Sequence, residues 1–220
     1  PGANAALTNK NVNLDNVTIS NVRRNGLTII TVDGFTATGC TFQLTNGTSP
    51  QAGVDIEPDA ATYIVSNILF HGCQFLDNTT TGFLVVEVGG ASPMLSNLSI
   101  IDCIVNGSVT GIRLQQTTTP VLVKGNVISG CDYGLGLVGA QQANVSNNII
   151  HNNTASGIYI GVGGSNLISG NLIYKNAAMG IWLTSADSYN SVVNNLIHLN
   201  RRAGIWVQGT HDCLVSGNYL

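Results

Sequence analysis

Eight glycines, Gly26, Gly53, Gly82, Gly111, Gly134, Gly157, Gly180 and Gly204, recur at steps of 23 to 29 residues, and each precedes an apolar residue. Periodicity of this length marks a stacked-repeat architecture, because one repeat cannot bury its apolar face alone whereas a stack of repeats can. The later copies share the register Asn-x-Ile-x-x-Asn-x-x-x-Gly-Ile-x-Ile. Asn126, Asn148, Asn171, Asn195 and Asn218 fill its first column, and Val123, Val145, Ile168, Val192 and Val215 fill an apolar column three residues earlier.

Only short strands fit between the turns. β-branched residues alternate with polar ones over three to five positions and are bounded by Gly, Asn and Ser, while no stretch carries apolar residues at helical spacing. Strands of successive coils are expected to stack in parallel about 4.8 Å apart. Equivalent residues then fall on one another, and a stacked asparagine can offer its amide to the coils on either side as well as to its own backbone. In the first half the asparagine column carries Cys40, Cys73 and Cys103 instead. Their spacing follows the coil and there is no Cys-x-x-Cys, so these residues read as small buried thiols rather than zinc ligands. All five cysteines, including Cys131 and Cys213, are expected to be reduced.

A chain of 220 residues with 44% hydrophobic and 9% charged residues and 26 glycines has the makings of one continuous core with many tight turns. Residues 1–220 are expected to form a single domain of about eight coils. A net charge of −3 offers no basic stripe for nucleic acid. No apolar run approaches a membrane span. The chain starts at Pro1 and stops at Leu220 in mid-coil, so a fragment of a longer protein lacking its caps is expected.

The repeat resembles that of the pectate-lyase-like superfamily of right-handed parallel β-helix proteins, which includes polysaccharide lyases, alginate epimerases and bacteriophage tailspikes. The resemblance runs from about Val17 to Leu220. It implies an all-β, right-handed, single-stranded parallel β-helix whose partner is a polysaccharide, an extracellular or virion-surface location, and, for a tailspike, a homotrimer. The reaction does not follow from the fold.

The candidate chemistry lies in the longer coils before Gly111. Asp55 and Glu57, in Gly53-Val54-Asp55-Ile56-Glu57-Pro58, are two apart on an expected strand and so share a face, with backbones about 6.6 Å apart. Glu87, the chain's other glutamate, is expected nearly above Glu57 on the next coil. Such a cluster spans the separations used by paired glycosidase carboxylates, and crowded like charges should raise at least one pKa. Arg113 continues the Asp55 column two coils on, where it would orient an acidic sugar or, by resemblance to some pectate lyases, act as the base of an elimination. Gln115 and Gln116 extend this patch.

Tyr159, Trp182 and Trp206 continue the same column, as a platform for sugar rings or as the cover of a partner interface. His151, Tyr174 and His198 form another column without a third metal ligand. Arg23-Arg24 and Arg201-Arg202 read as solvated turn charges, with docking of an acidic glycan as the alternative. No cofactor is expected. Calcium is the one ion the carboxylates suggest, although no aspartate-rich loop is present.

The resulting expectation is a polysaccharide-binding and depolymerising β-helix, either hydrolase or lyase. Its rivals are a non-catalytic carbohydrate-binding or structural solenoid and a polyuronate C5-epimerase. Asp-Ile-Glu-Pro departs from the Asp-Pro-His-Glu of alginate epimerases in lacking the histidine, and the nearest one, His71, lies elsewhere in the coil.

Overall fold

The computed structural model describes residues 9–60, 62–87, 95–184 and 189–220. Each coil contributes one strand to each of three parallel sheets. Among the described residues the first sheet has nine strands, from Asn9–Asp15 to Leu214–Ser216, and the second has eight, from Thr18–Ser20 to Leu196–His198. The third, which carries the repeating glycine or immediately follows it, has eight strands from Leu27–Ile29 to Ile205–Gln208. No helix occurs among the described residues, and so none is long and apolar enough to cross a membrane.

The repeating glycine is required by close packing between coils. A Cβ at Gly26, Gly53, Gly82, Gly111, Gly134, Gly157 or Gly180 would come within 2.8 Å of the carbonyl oxygen of the next glycine in the column. No real side chain tolerates such a contact, so the period in the sequence is the imprint of stacked backbones.

Sharp corners between sheets depend on a second local device. At the corner joining the first and second sheets, Asn16, Gly39, Gly72, Asp102, Gly125, Asn147, Gly170, Asn194 and Gly217 all have positive φ. These are the residue types that tolerate the left-handed region. The next residue turns inward and forms the ladder. Asn148 Nδ2 donates to Val123 O and to Asn171 Oδ1, both at 3.0 Å, and its backbone N–H donates to Asn171 Oδ1 at 2.9 Å. Its own Oδ1 accepts from the N–H and Nδ2 of Asn126, each at 2.9 Å. The corner N–H groups of Cys103, Asn126, Asn148, Asn171 and Asn195, which the turn would strand away from water, thereby find a partner.

Three such ladders run along the solenoid. The second contains Asn78, Cys131, Asn153, Asn176 and Asn200, and a third, not apparent from the repeat register alone, contains Asn166 and Asn190. Cys40, Cys73 and Cys103 occupy the first ladder below Asn126, whose Oδ1 accepts from the Cys103 N–H at 2.9 Å. The thiols donate to backbone carbonyls, Cys73 Sγ to Ala37 O at 3.4 Å and Cys103 Sγ to Ile101 O at 3.2 Å. All five cysteines are unpaired.

Inward residues of the third sheet, such as Val54 and Ile56, Phe83 and Val85, and Ile158 and Ile160, are fully buried. Their alternation fixes the register, since a slip of one residue would turn the apolar set to solvent. It also fixes which side chains reach the outer face.

Candidate functional site

The outward column of the third sheet reads Thr28, Asp55, Leu84, Arg113, Gly136, Tyr159, Trp182 and Trp206, each paired with the next by strand register. The structure thus brings Asp55, Arg113 and the three aromatics onto one line, with neighbours about 4.8 Å apart. Gln115 points outward beside it, two residues after Arg113 and in register with Val86 and Val138. Gln116 falls beyond the strand, with a φ of 54°, and packs against Gly139 rather than extending the patch.

Asp55 is outward in register and yet only 1% exposed. Asn25 Nδ2 donates to Asp55 Oδ2 at 2.8 Å, and Asn25 is held in turn by the Ala52 N–H, which donates to its Oδ1 at 3.1 Å. Asp55 Oδ1 is buried with no hydrogen-bond partner. Burial, and then the charge of Glu57, push the Asp55 carboxyl up to about 6, against the smaller opposing effect of the Asn25 hydrogen bond. A carboxylic acid that keeps its proton nearly to neutral pH beside a second, half-buried carboxylate is the starting point for acid–base chemistry.

Glu87 does not join this pair. Ile56 is in register with Val85, so Glu57 lies beside Val86, and Glu87, one residue later, turns to the opposite side. It is 4% exposed. Its carboxylate accepts from the Leu95 N–H at 3.2 Å, the Thr118 N–H at 2.6 Å and the Thr118 hydroxyl at 3.0 Å. The expectation that Glu87 stacks over Glu57 is therefore corrected by one residue of register. Strand alternation converts that offset into a change of face, and this carboxylate ties together the turns of adjacent coils.

Arg113 lies two coils from Asp55, with Leu84 between them. It opens a trough that continues along the aromatics. The first concavity, about 440 Å³, is lined by Arg113, Tyr133, Gly136, Tyr159 and Trp182. A second, about 460 Å³, adjoins it through Tyr133 and Trp182 and reaches Trp206, Arg201 and Arg202. The Tyr159 ring meets Trp182 nearly edge to face, with centroids 5.2 Å apart and planes at 65°, and Tyr133 leans on Tyr159 at 5.7 Å. Such contacts fix the rings in place while leaving apolar surface for a ligand. Trp206 remains 45% exposed.

Sequence reasoning missed Tyr133 as a member of this trough and assigned Arg201 and Arg202 to solvent by default. The available signal for Tyr133 was its position directly before a repeat glycine, where the other coils carry Asn25, Ala52, Thr81, Thr110, Ser156, Met179 and Ala203. The His151, Tyr174 and His198 column lies on the second sheet, away from this trough, with rings stacked at 4.9 and 5.4 Å. Burial and then the charge of Lys175 hold His151 below the ordinary imidazole value.

The family model for the right handed beta helix region matches residues 3–141 and 95–220, which together take in almost the whole chain. The chain belongs to the right-handed β-helix family. Its coil is similar to a double mutant of the periplasmic alginate epimerase AlgG, with a TM-score of 0.64 and 17% identity over 82% of this chain. It is also similar to the A-module of the Azotobacter vinelandii mannuronan C-5 epimerase AlgE4, at 0.62 and 14% over 90% of this chain, and to tailspike protein 3 of bacteriophage CBA120, at 0.63 and 15% over 96%. The matched regions span 40%, 66% and 41% of those structures. At these identities the shared property is the β-helix itself. A search of curated proteins finds no match.

Proposed function

We propose that this β-helix binds a polysaccharide along the outer face of its third sheet and depolymerises it at the Asp55–Glu57 end. The observation that carries the reading is the single outward column that holds the buried Asp55, Arg113 two coils on beyond Leu84, and, beyond Gly136, Tyr159, Trp182 and Trp206 on successive coils. Aromatic faces spaced along a trough suit successive sugar rings, whose C–H surfaces pack on indole and phenol. Glu57, the more exposed carboxyl, is the base or nucleophile that meets the sugar, Asp55 buried beside it is the proton reserve of the pair, and Arg113 supplies the charge that orients an acidic group. The names of the similar structures, alginate epimerases and a phage tailspike, support a polysaccharide as the partner and a periplasmic, extracellular or virion-surface location.

Incubating the protein with a panel of acidic and neutral glycans tests the reaction. New reducing ends alone indicate hydrolysis, and reducing ends together with absorbance from unsaturated sugars indicate elimination. Loss of either signal in Asp55→Asn and Glu57→Gln assigns it to the pair.

A second reading, non-catalytic binding, is favoured by the engagement of Glu87 in a turn, which leaves one carboxylate pair on this face. Under it the panel shows retention on the glycan without cleavage. The proposal extends to a homotrimer, in which the outward Ile104, Ile149 and Leu196 of the second sheet, 45%, 38% and 42% exposed, are the apolar stripe to be covered. Sedimentation equilibrium measures that assembly directly.

A further inference from the structure

Within the outward column of the third sheet, one position carries no side chain. Gly136 sits between Arg113 and Tyr159. The fold does not demand a glycine there, because its φ lies outside the left-handed region and an added Cβ would meet only Thr110 Cγ2, at an ordinary 3.6 Å. Gly134, two residues earlier, is the opposite case: its Cβ would lie 2.6 Å from the Gly157 carbonyl oxygen. A glycine inside a strand weakens it and commonly marks a place where something else approaches the backbone.

What the missing side chain leaves is the floor of the 440 Å³ concavity, with Arg113 toward one end and Tyr159 and Trp182 toward the other. Two of the lining side chains hold buried donors with no partner, Arg113 Nε and Trp182 Nε1. A donor removed from water and left unpaired is unfavourable until an acceptor reaches it, and buried donors in native proteins are rarely left so. The volume lies in the range that holds one small ligand.

We propose that Gly136 is the specificity-determining position of this face. Its vacant place seats one sugar ring bearing an acidic substituent, either a carboxylate or a sulfate ester. The acidic oxygens accept from the guanidinium of Arg113 and the indole N–H of Trp182, while the ring packs on Tyr159. The inference rests on the proposed reading of the face as a polysaccharide trough and adds which sugar the trough selects.

Calorimetric titration with three hexasaccharides tests it: an oligogalacturonate carrying carboxylates, a carrageenan fragment carrying only sulfates, and neutral cellohexaose. The wild-type protein is expected to favour at least one acidic probe over cellohexaose by about tenfold or more, and the better acidic probe identifies the group. Gly136→Leu fills the notch and is expected to lower the acidic affinity about tenfold, and by more than it lowers that of cellohexaose, with the thermal midpoint unchanged. Gly136→Ala gives a smaller loss with an equal or higher midpoint, because it restricts the unfolded chain, and it decides the matter if the leucine variant does not fold. Arg113→Gln removes the acidic preference, and Trp182→Phe keeps the ring while deleting the donor. Undiminished acidic binding by the Gly136 variants, or a wild-type protein indifferent to acid groups, overturns the notch and leaves the polysaccharide trough standing. A wild-type protein that binds none of the three overturns both.

Discussion

The two halves of this solenoid share one register and fill it in opposite ways. All five phenylalanines, Phe35, Phe42, Phe70, Phe75 and Phe83, lie inside the first half and touch one another, with Phe42 stacked on Phe75 at 5.6 Å and Phe70 edge-on to Phe83 at 4.8 Å. In the second half the interior is Ile, Leu and Val, while Tyr133, Tyr159, Tyr174, Trp182 and Trp206 stand outside. Strand length explains the difference. First-sheet strands run seven residues in the early coils, as in Val65–His71, and three in the late ones, as in Leu167–Ser169. The wider bore takes Phe where the narrower takes Ile, because interiors are packed to a fixed density. Aromatic residues are thus structural in one half and available to a ligand in the other.

The sharpest way to break this comparison is to exchange interiors. Phe75 and Ile173 occupy the same inward column. Phe75→Ala is expected to cost about 4 kcal/mol in denaturant unfolding, and Ile173→Phe about 2 kcal/mol through overpacking of the narrow coil. If Ile173→Phe leaves stability unchanged, the two bores do not differ and the explanation fails.

The ladders offer a second contrast. Asn171→Ala removes the acceptor used by both Asn148 donors and leaves the Val145 carbonyl without its partner, at an expected cost of about 3 kcal/mol. Cys73→Ala deletes only a weak thiol donor and a small volume and should cost about 1 kcal/mol. Equal losses would mean that the asparagine ladder is no more than a packing column.

On the outer face the expectation reverses, with binding affected and stability spared. Trp206→Ala should weaken binding of a retained glycan about tenfold, on the order of 1.4 kcal/mol, and leave the unfolding midpoint in place. A drop in the midpoint without a loss of binding would return Trp206 to the structural class that the phenylalanines occupy.

Asp55 gives the most specific effect, because it is confined to one pH window. Its carboxyl binds a proton more tightly folded than unfolded, so its contribution to stability is complete below the unfolded carboxyl value near 4 and is lost as pH rises through about 6. Asp55→Asn should therefore stabilise the protein at pH 8 by up to about 2.7 kcal/mol, the equivalent of about two pKa units, and flatten its stability profile between pH 4 and 6. Any cleavage that uses Asp55 as the acid should fall as pH rises above 6. Parallel stability profiles for the two proteins would show that the Asp55 carboxyl is not perturbed.

Much of this architecture is written locally. The glycine period, the asparagine and cysteine columns and the alternation of apolar residues are nearest-neighbour properties, since each coil contacts chiefly the coil before and after it. From them follow the parallel sheets, the buried thiols and the single column that joins Asp55, Arg113, Tyr159, Trp182 and Trp206. What sequence could not supply was the fate of residues at strand ends. Glu87 was misplaced because a shift of one position reverses the side to which a side chain points. Gln116 left the patch because its backbone had entered a corner. The unneeded glycine at Gly136, the inclusion of Tyr133 and the burial of an outward Asp55 all depend on which groups from neighbouring coils arrive beside them in space. Repetition determines the columns, and tertiary packing alone decides which members of a column are covered, paired or left open to a ligand.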